Sequence, residues 1–117
     1  MANPNVLAAT SILGNTGVAT LTTSLVTLFT VPSNTVYKMN SITVANKSAS
    51  AATVDLTVSV DGTNDFYLAK EINVPVATTL VILTKDQSIY VPETGTMKAL
   101  ASAGTSLDLV YSYESIL

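Results

Sequence analysis

Apolar and polar positions alternate along this chain with the period of two that strands impose, because successive side chains on a pleated backbone point to opposite faces. Residues 54–60 show it most cleanly. Val54, Leu56, Val58 and Val60 fall on one side, and Asp55, Thr57 and Ser59 on the other. Residues 107–113 repeat the pattern, with Leu107, Leu109, Tyr111 and Tyr113 set against Asp108, Val110 and Ser112. The stretch 18–31 exceeds the usual strand length of about 5 to 6 residues and predicts two strands, or one bent at a bulge. Between Val36 and Asn46 the parity changes, Tyr37 and Met39 sharing one face and Ile42 and Val44 the other, as a bulge or a change of sheet produces. Further strands are predicted over 66–70, 79–84, 88–91 and 97–101.

Turn chemistry separates these runs. Pro32-Ser33-Asn34, Asn46-Lys47-Ser48, Asp61-Gly62-Thr63-Asn64, Asp86-Gln87, Pro92-Glu93-Thr94-Gly95 and Ala103-Gly104-Thr105 all carry the residues that tight turns select. Val, Ile and Thr fill 38 of the 117 positions, and no segment has the 3.6-residue period of an amphipathic helix. Short strands at this spacing indicate an all-β sandwich or barrel, and the fold expected is an antiparallel β-sandwich, jelly-roll-like, of eight or nine strands. The length predicts one domain, over 16–117, with residues 1–15 as an N-terminal arm that orders on assembly.

Composition narrows the chemistry. The chain has no His, Cys or Trp, which removes His-based acid/base pairs, thiolate nucleophiles, structural zinc and iron–sulfur clusters. Its five cationic residues are all Lys against eight acids, for a net charge of −3, so the basic footprint that a phosphate backbone demands is absent and no nucleic-acid partner is expected. Met1 to Tyr37 carries no charged side chain. Asn3, Pro4, Asn5, Asn15 and Pro32 interrupt that stretch, so it reads neither as a membrane span of about 20 apolar residues nor as a signal with a positive n-region. Thr and Ser account for 30 residues and form most of the polar surface. So weakly charged a surface predicts extensive cover by protein partners.

No motif carries catalysis or a cofactor. Asp61-Gly62-Thr63-Asn64-Asp65 has the oxygen spacing that opens some calcium loops, but the twelfth position is Ile72 rather than Glu, and Asp-Gly between two strands reads as a hairpin turn. No metal is expected. Glu71, Asp86, Glu93, Asp108 and Glu114 show no spacing that pairs them for glycoside hydrolysis. No S-x-x-K, G-x-G-x-x-G or P-loop occurs. The tyrosines read as core-edge or interface residues.

The run Thr30-Val31-Pro32-Ser33-Asn34-Thr35-Val36-Tyr37, followed by Ser41-Ile42-Thr43-Val44-Ala45-Asn46, resembles the opening of small virion proteins of tailed bacteriophages, cyanophage-like in character, in which "VP-N" leads into a strand ending in Asn. Residues 54–60, Ile72-Asn73-Val74-Pro75, Ser88-Ile89-Tyr90-Val91 and Leu107 to Glu114 continue the same layout. The resemblance covers about residues 28–114 and departs at Lys85-Asp86-Gln87, where a Gly-Asp turn is expected. It implies a non-enzymatic virion structural protein, foremost a capsid decoration (cement) protein that stabilises the particle. A neck, tail or baseplate adaptor is the near alternative; apart from the resemblance, Tyr and Asn side chains on loops such as Asp61 to Asp65 leave a lectin-like host-glycan-binding module as a second class. Its partners would be other virion proteins, the major capsid protein or neck and tail proteins, and copies of itself as a trimer or hexamer. The expected assembly contacts are Val6, Leu7, Ile12, Leu13, Tyr111 and Tyr113.

Overall fold

The computed structural model describes residues 11–117, with backbone alone at residue 85, and these form nine strands. They are β1 (Ile12–Thr20), β2 (Val26–Thr30), β3 (Val36–Asn46), β4 (Ala52–Ser59), β5 (Phe66–Val74), β6 (Thr79–Leu83), β7 (Ile89–Val91), β8 (Thr96–Ala101) and β9 (Leu107–Ile116), with a single 3-10 turn at Lys85–Gln87. One sheet runs β1-β9-β3-β6, β7 also pairing with β3; the other runs β2-β8-β4-β5. Every pairing is antiparallel.

The pairings nest. β4 pairs with β5, β3 with β6 and β7, β2 with β8, and β1 with β9. Counting β6 and β7 as one interrupted strand, this is a long antiparallel ribbon folded back on itself and rolled into two facing sheets, which is the jelly roll the strand count predicted.

Residues 18–31 divide into two strands because the chain changes sheet between them. The Leu21 N–H donates to the Leu107 carbonyl in the first sheet, while the Thr22 carbonyl accepts from the Ala101 N–H in the second. Leu21, fully buried, fills the corner. The parity change in β3 is a bulge: the register against β9 shifts between Met39 and Ser41. That one extra residue brings Tyr37, Met39, Ile42 and Val44 to the same inner face. They meet Val54 and Leu56 of β4, Met97 and Ala99 of β8, and Leu107 and Leu109 of β9 in one core.

Among the buried polar side chains Asn46 is fully tied off, whereas the Thr57 and Thr96 hydroxyls have no hydrogen-bond partner. The Asn46 amide nitrogen donates to the Ser50 and Val74 carbonyls at 2.9 Å, and its oxygen accepts from the Ser48 N–H and hydroxyl at 2.8 Å. One buried side chain thus ends β3, shapes the next loop and anchors the end of β5 in the other sheet.

β1 begins at Ile12, and just before it Ser11 and Leu117 exchange both backbone hydrogen bonds. Residues 11–15, on the arm side of the boundary expected at residue 16, therefore run along β9. Residues 1–10 lie outside the described residues, and with them Val6 and Leu7.

Candidate interaction surface

The two sheets present different outer faces. On the first, the registers align Val18 of β1, Val110 of β9, Thr43 of β3 and Val81 of β6 in one row across all four strands. Val18 is 74% exposed, Val81 53% and Val110 40%. The neighbouring row is Thr20, Asp108, Ala45 and Thr79, and on the other side Thr16, Ser112 and Ser41 follow. Charge appears only towards the two ends of this band. Asp108 accepts from the Thr20 hydroxyl at 2.8 Å and pairs with Lys47 at 3.0 Å; Glu114 lies 3.8 Å from Lys38. The Thr20 hydroxyl, and then Lys47, hold the Asp108 carboxyl below the usual range. Between the charged rows lies an uncharged field of valines, threonines and serines about 15 Å by about 20 Å, on the order of 300 Å².

The second sheet's outer face carries charge, with Asp55, Lys70 and Lys98 on it and the exposed Tyr67 ring among them. Asp55 of β4 is buried there, its Oδ1 accepting from the Glu71 N–H at 2.7 Å and its Oδ2 lying 3.5 Å from the Lys70 ammonium. Glu71 has a left-handed backbone, with φ of 50°, where the register between β4 and β5 shifts. Asp55 therefore holds a bulge, and its charge in turn raises the pKa of Lys70. Asp65 pairs with Lys98 on the same side of the molecule.

The Asp61 loop is a hairpin connection between β4 and β5, as its Asp-Gly step predicted. The Asp61 carboxylate accepts from the Asn64 N–H, the Thr63 N–H, the Asn64 amide and the Ser59 hydroxyl, bonds that hold it well below the usual carboxylate range. Gly62 takes a φ of 81°, and a Cβ there would sit 2.6 Å from the Thr94 carbonyl oxygen, so the position demands glycine on two counts. Beside this loop Val60, Phe66 and Tyr67 are more than half exposed, and the Lys70 ammonium lies 4.8 Å from the Tyr67 ring centre.

The expected contact residues separate. Ile12 and Leu13 are 53% and 56% exposed on β1. Tyr111 points inward and is buried, so in the single chain it offers no outer surface; Tyr113 is half-buried beside it. Both belong to a nest of four rings with Phe29 and Tyr37, whose centroids lie 4.6 to 6.0 Å apart. Burial first, and then the neighbouring Tyr113 hydroxyl, raise the pKa of Tyr37 and Tyr111, so neither supplies a phenolate at neutral pH. Sequence reasoning missed the Val18–Val110–Val81 row. Its one visible signal was Val110, an apolar residue on the otherwise polar side of its strand.

The β9 carboxylates do not converge. Asp108 and Glu114 share a face but stand six residues apart on one strand, about 20 Å, well beyond the 5 to 9.5 Å over which paired carboxylates cleave glycosides. Glu93 accepts from the Asn34 N–H at a loop, and Asp86 lies in the 3-10 turn. Among the described residues no group of three or more acids is placed to hold a metal ion.

Neither a protein-family profile nor a curated protein sequence matches the chain. Solved structures do. The chain is similar to one of infectious bursal disease virus, Gx strain, with a TM-score of 0.50 at 10% identity, over 92% of this chain and 32% of that one. A structure of the T13 particle of the same virus gives 0.49 at 11% identity, over 93% and 32%. A pentameric capsid protein from metagenomic phage sequences gives 0.44 at 18% identity, over 87% and 62%. The chain spans about a third of the viral chains and about three fifths of the phage protein. At these identities the likeness is one of fold: a jelly roll also found in a viral structure.

Proposed function

We propose that this chain is a non-enzymatic structural protein of a bacteriophage particle, acting as a capsid decoration protein that stabilises the shell through protein–protein contacts. The observation that carries this reading is the uncharged Val18–Val110–Thr43–Val81 field on one sheet, opposite a charged face on the other. An uncharged centre holding three exposed valines and bounded by charged rows has the anatomy of a protein interface. The fold shared with a structure of infectious bursal disease virus supports a place in a virus particle, and the resemblance to small tailed-phage virion proteins supports the phage assignment. A field on the order of 300 Å² falls well below the roughly 800 Å² per partner of a stable complex, so one copy would hold weakly and several linked copies tightly. A trimer or hexamer seated on the shell satisfies that arithmetic, and a neck, tail or baseplate ring does so equally.

The test is the protein content and map of gradient-purified particles from the phage that encodes the chain. The protein is expected on the outer shell in many copies, and Val110→Lys is expected to reduce its occupancy by about tenfold while leaving the fold intact. Particles without the protein, or unchanged occupancy in Val110→Lys, would overturn the reading. A map placing it at the neck or tail would replace decoration by the adaptor role.

A glycan-binding module is the second reading, favoured by Phe66 and Tyr67 exposed beside the polar Asp61–Asn64 loop. Lys70 already occupies one face of the Tyr67 ring, which leaves less aromatic surface for a sugar to stack on. Saturable binding on a glycan array, abolished by Phe66→Ala, would establish this alternative.

A further inference from the structure

The four sheet edges are not equally protected. β2 is five residues long and its register breaks between Thr27 and Phe29. β5 carries Lys70 and Glu71 and two register shifts. The opposite edge of the first sheet is split into β6 and β7 around the 3-10 turn. These are the usual devices that stop one sheet from adding to another. β1 has none of them: nine residues, Ile12–Thr20, in unbroken register with β9, without a charge or a proline, and with no partner on the outer side among the described residues.

The backbone parity of this edge is determined at both ends. Ser11 and Leu117 exchange two hydrogen bonds, and the Leu21 N–H reaches the Leu107 carbonyl, so the odd-numbered residues of β1 point their backbone groups at β9. The N–H and C=O groups of Ile12, Gly14, Thr16, Val18 and Thr20 therefore point away from the sheet.

We infer that β1 pairs antiparallel with β1 of a second copy about a two-fold axis. A second copy fits because an antiparallel pair of identical strands is self-complementary: when Thr16 faces Thr16 of the other copy, every outward N–H and C=O of one strand meets its counterpart, Ile12 opposite Thr20 and Gly14 opposite Val18. An uncharged strand makes no like-charge contact with itself, and the nearest acids, Asp108 and Glu114, lie one strand further in beside Lys47 and Lys38. The axis stands perpendicular to the sheet, so both valine fields come to lie on one side of a continuous eight-strand sheet and their area doubles. The pairing requires nothing of the particle and stands or falls apart from the decoration role. It suits a hexamer built from three such pairs.

The test is the mass of the full chain in solution, by sedimentation across a concentration series, with amide exchange read residue by residue. Dimers or even-numbered multiples are expected, with the amides of Gly14, Thr16 and Val18 protected where the protein is associated. Thr16→Pro removes only an outward N–H, which an edge position tolerates, and Val18→Lys adds an edge charge; each is expected to weaken self-association by about tenfold or more at unchanged circular dichroism. Val81→Lys, on the same face at the far edge, is expected to leave it unchanged. A chain that stays monomeric, whether those amides are protected or not, would overturn the inference, as would association that survives both β1 substitutions. Loss of particle binding in Val81→Lys alongside intact dimers would bear on the decoration role alone.

Discussion

Gly17→Ala tests the packing of β1 against the aromatic nest. A Cβ at Gly17 would stand 2.1 Å from Tyr111 Cζ and 2.4 Å from its Cε2 and hydroxyl oxygen, so about 1.3 Å of movement is needed before ordinary contact returns. The ring cannot simply swing aside, because Tyr111 is only 6% exposed and has Phe29 at 5.7 Å and Tyr113 at 5.6 Å. Overpacking of this kind costs about 1 to 3 kcal/mol. Replacing a strand glycine by alanine would otherwise stabilise by roughly 0.5–1 kcal/mol. The two effects oppose each other, and with the ring enclosed the first wins, leaving a net loss of about 1 kcal/mol and a fall in Tm of about 4 °C. Gly14→Ala, on the same strand with nothing within 4 Å of its Cβ, is the control and should be neutral or slightly stabilising. In a Tyr111→Leu background the atoms that clash are gone, so Gly17→Ala should lose most of its cost, a coupling of about 1–2 kcal/mol. Urea denaturation of the four proteins measures this cycle. A neutral or stabilising Gly17→Ala in the Tyr111 protein would refute the argument that the ring occupies the glycine's space.

Asp55→Ala strands the Glu71 N–H at the β5 bulge and is expected to cost about 1–3 kcal/mol, with rapid exchange of that amide; Asp55→Asn, which keeps an acceptor, should retain most of the stability. Equal losses in the two variants would show that charge, rather than the acceptor, holds the bulge. Asp61 has a folded-state pKa depressed below its unfolded value of about 4, so its contribution to the hairpin is present above that pH and is lost as pH falls through the folded value. An NMR titration should show the Thr63 and Asn64 amides shifting with Asp61 at a pH below the usual carboxylate range. A midpoint near 4 would remove the stated cause. Asp108, held down by Thr20 and Lys47, follows the same sign.

How much of this was legible beforehand follows from the range of each interaction. Side-chain alternation is a property of neighbouring residues, so β4 and β9 could be read directly, and the parity change in β3 foretold its bulge. Asp-Gly announced the hairpin because it acts through its own φ and its own side chain. β1 was the weak point. Two glycines, an asparagine and exposed apolar residues give Ile12–Thr20 little alternation, since an edge strand overhanging its sandwich buries little on either face. The burial of Tyr111 likewise depends on Gly17, which lies ninety-four positions away along the chain and directly opposite across the sheet.

The sequence by itself determined the class of fold and the exclusions. Strand periodicity and turn residues are local, and the absence of His and Cys and the scarcity of charge hold in any conformation. Only the tertiary structure decided which faces and edges remain open. Val18, Val110 and Val81 are scattered through the chain and become one row only when three separate pairings are in register. The outward backbone groups of β1 exist only because β9 has satisfied the alternate ones. Contact surfaces arise from strand pairing at long sequence separation, and a pattern read along the chain has no information on which strand will lie beside which.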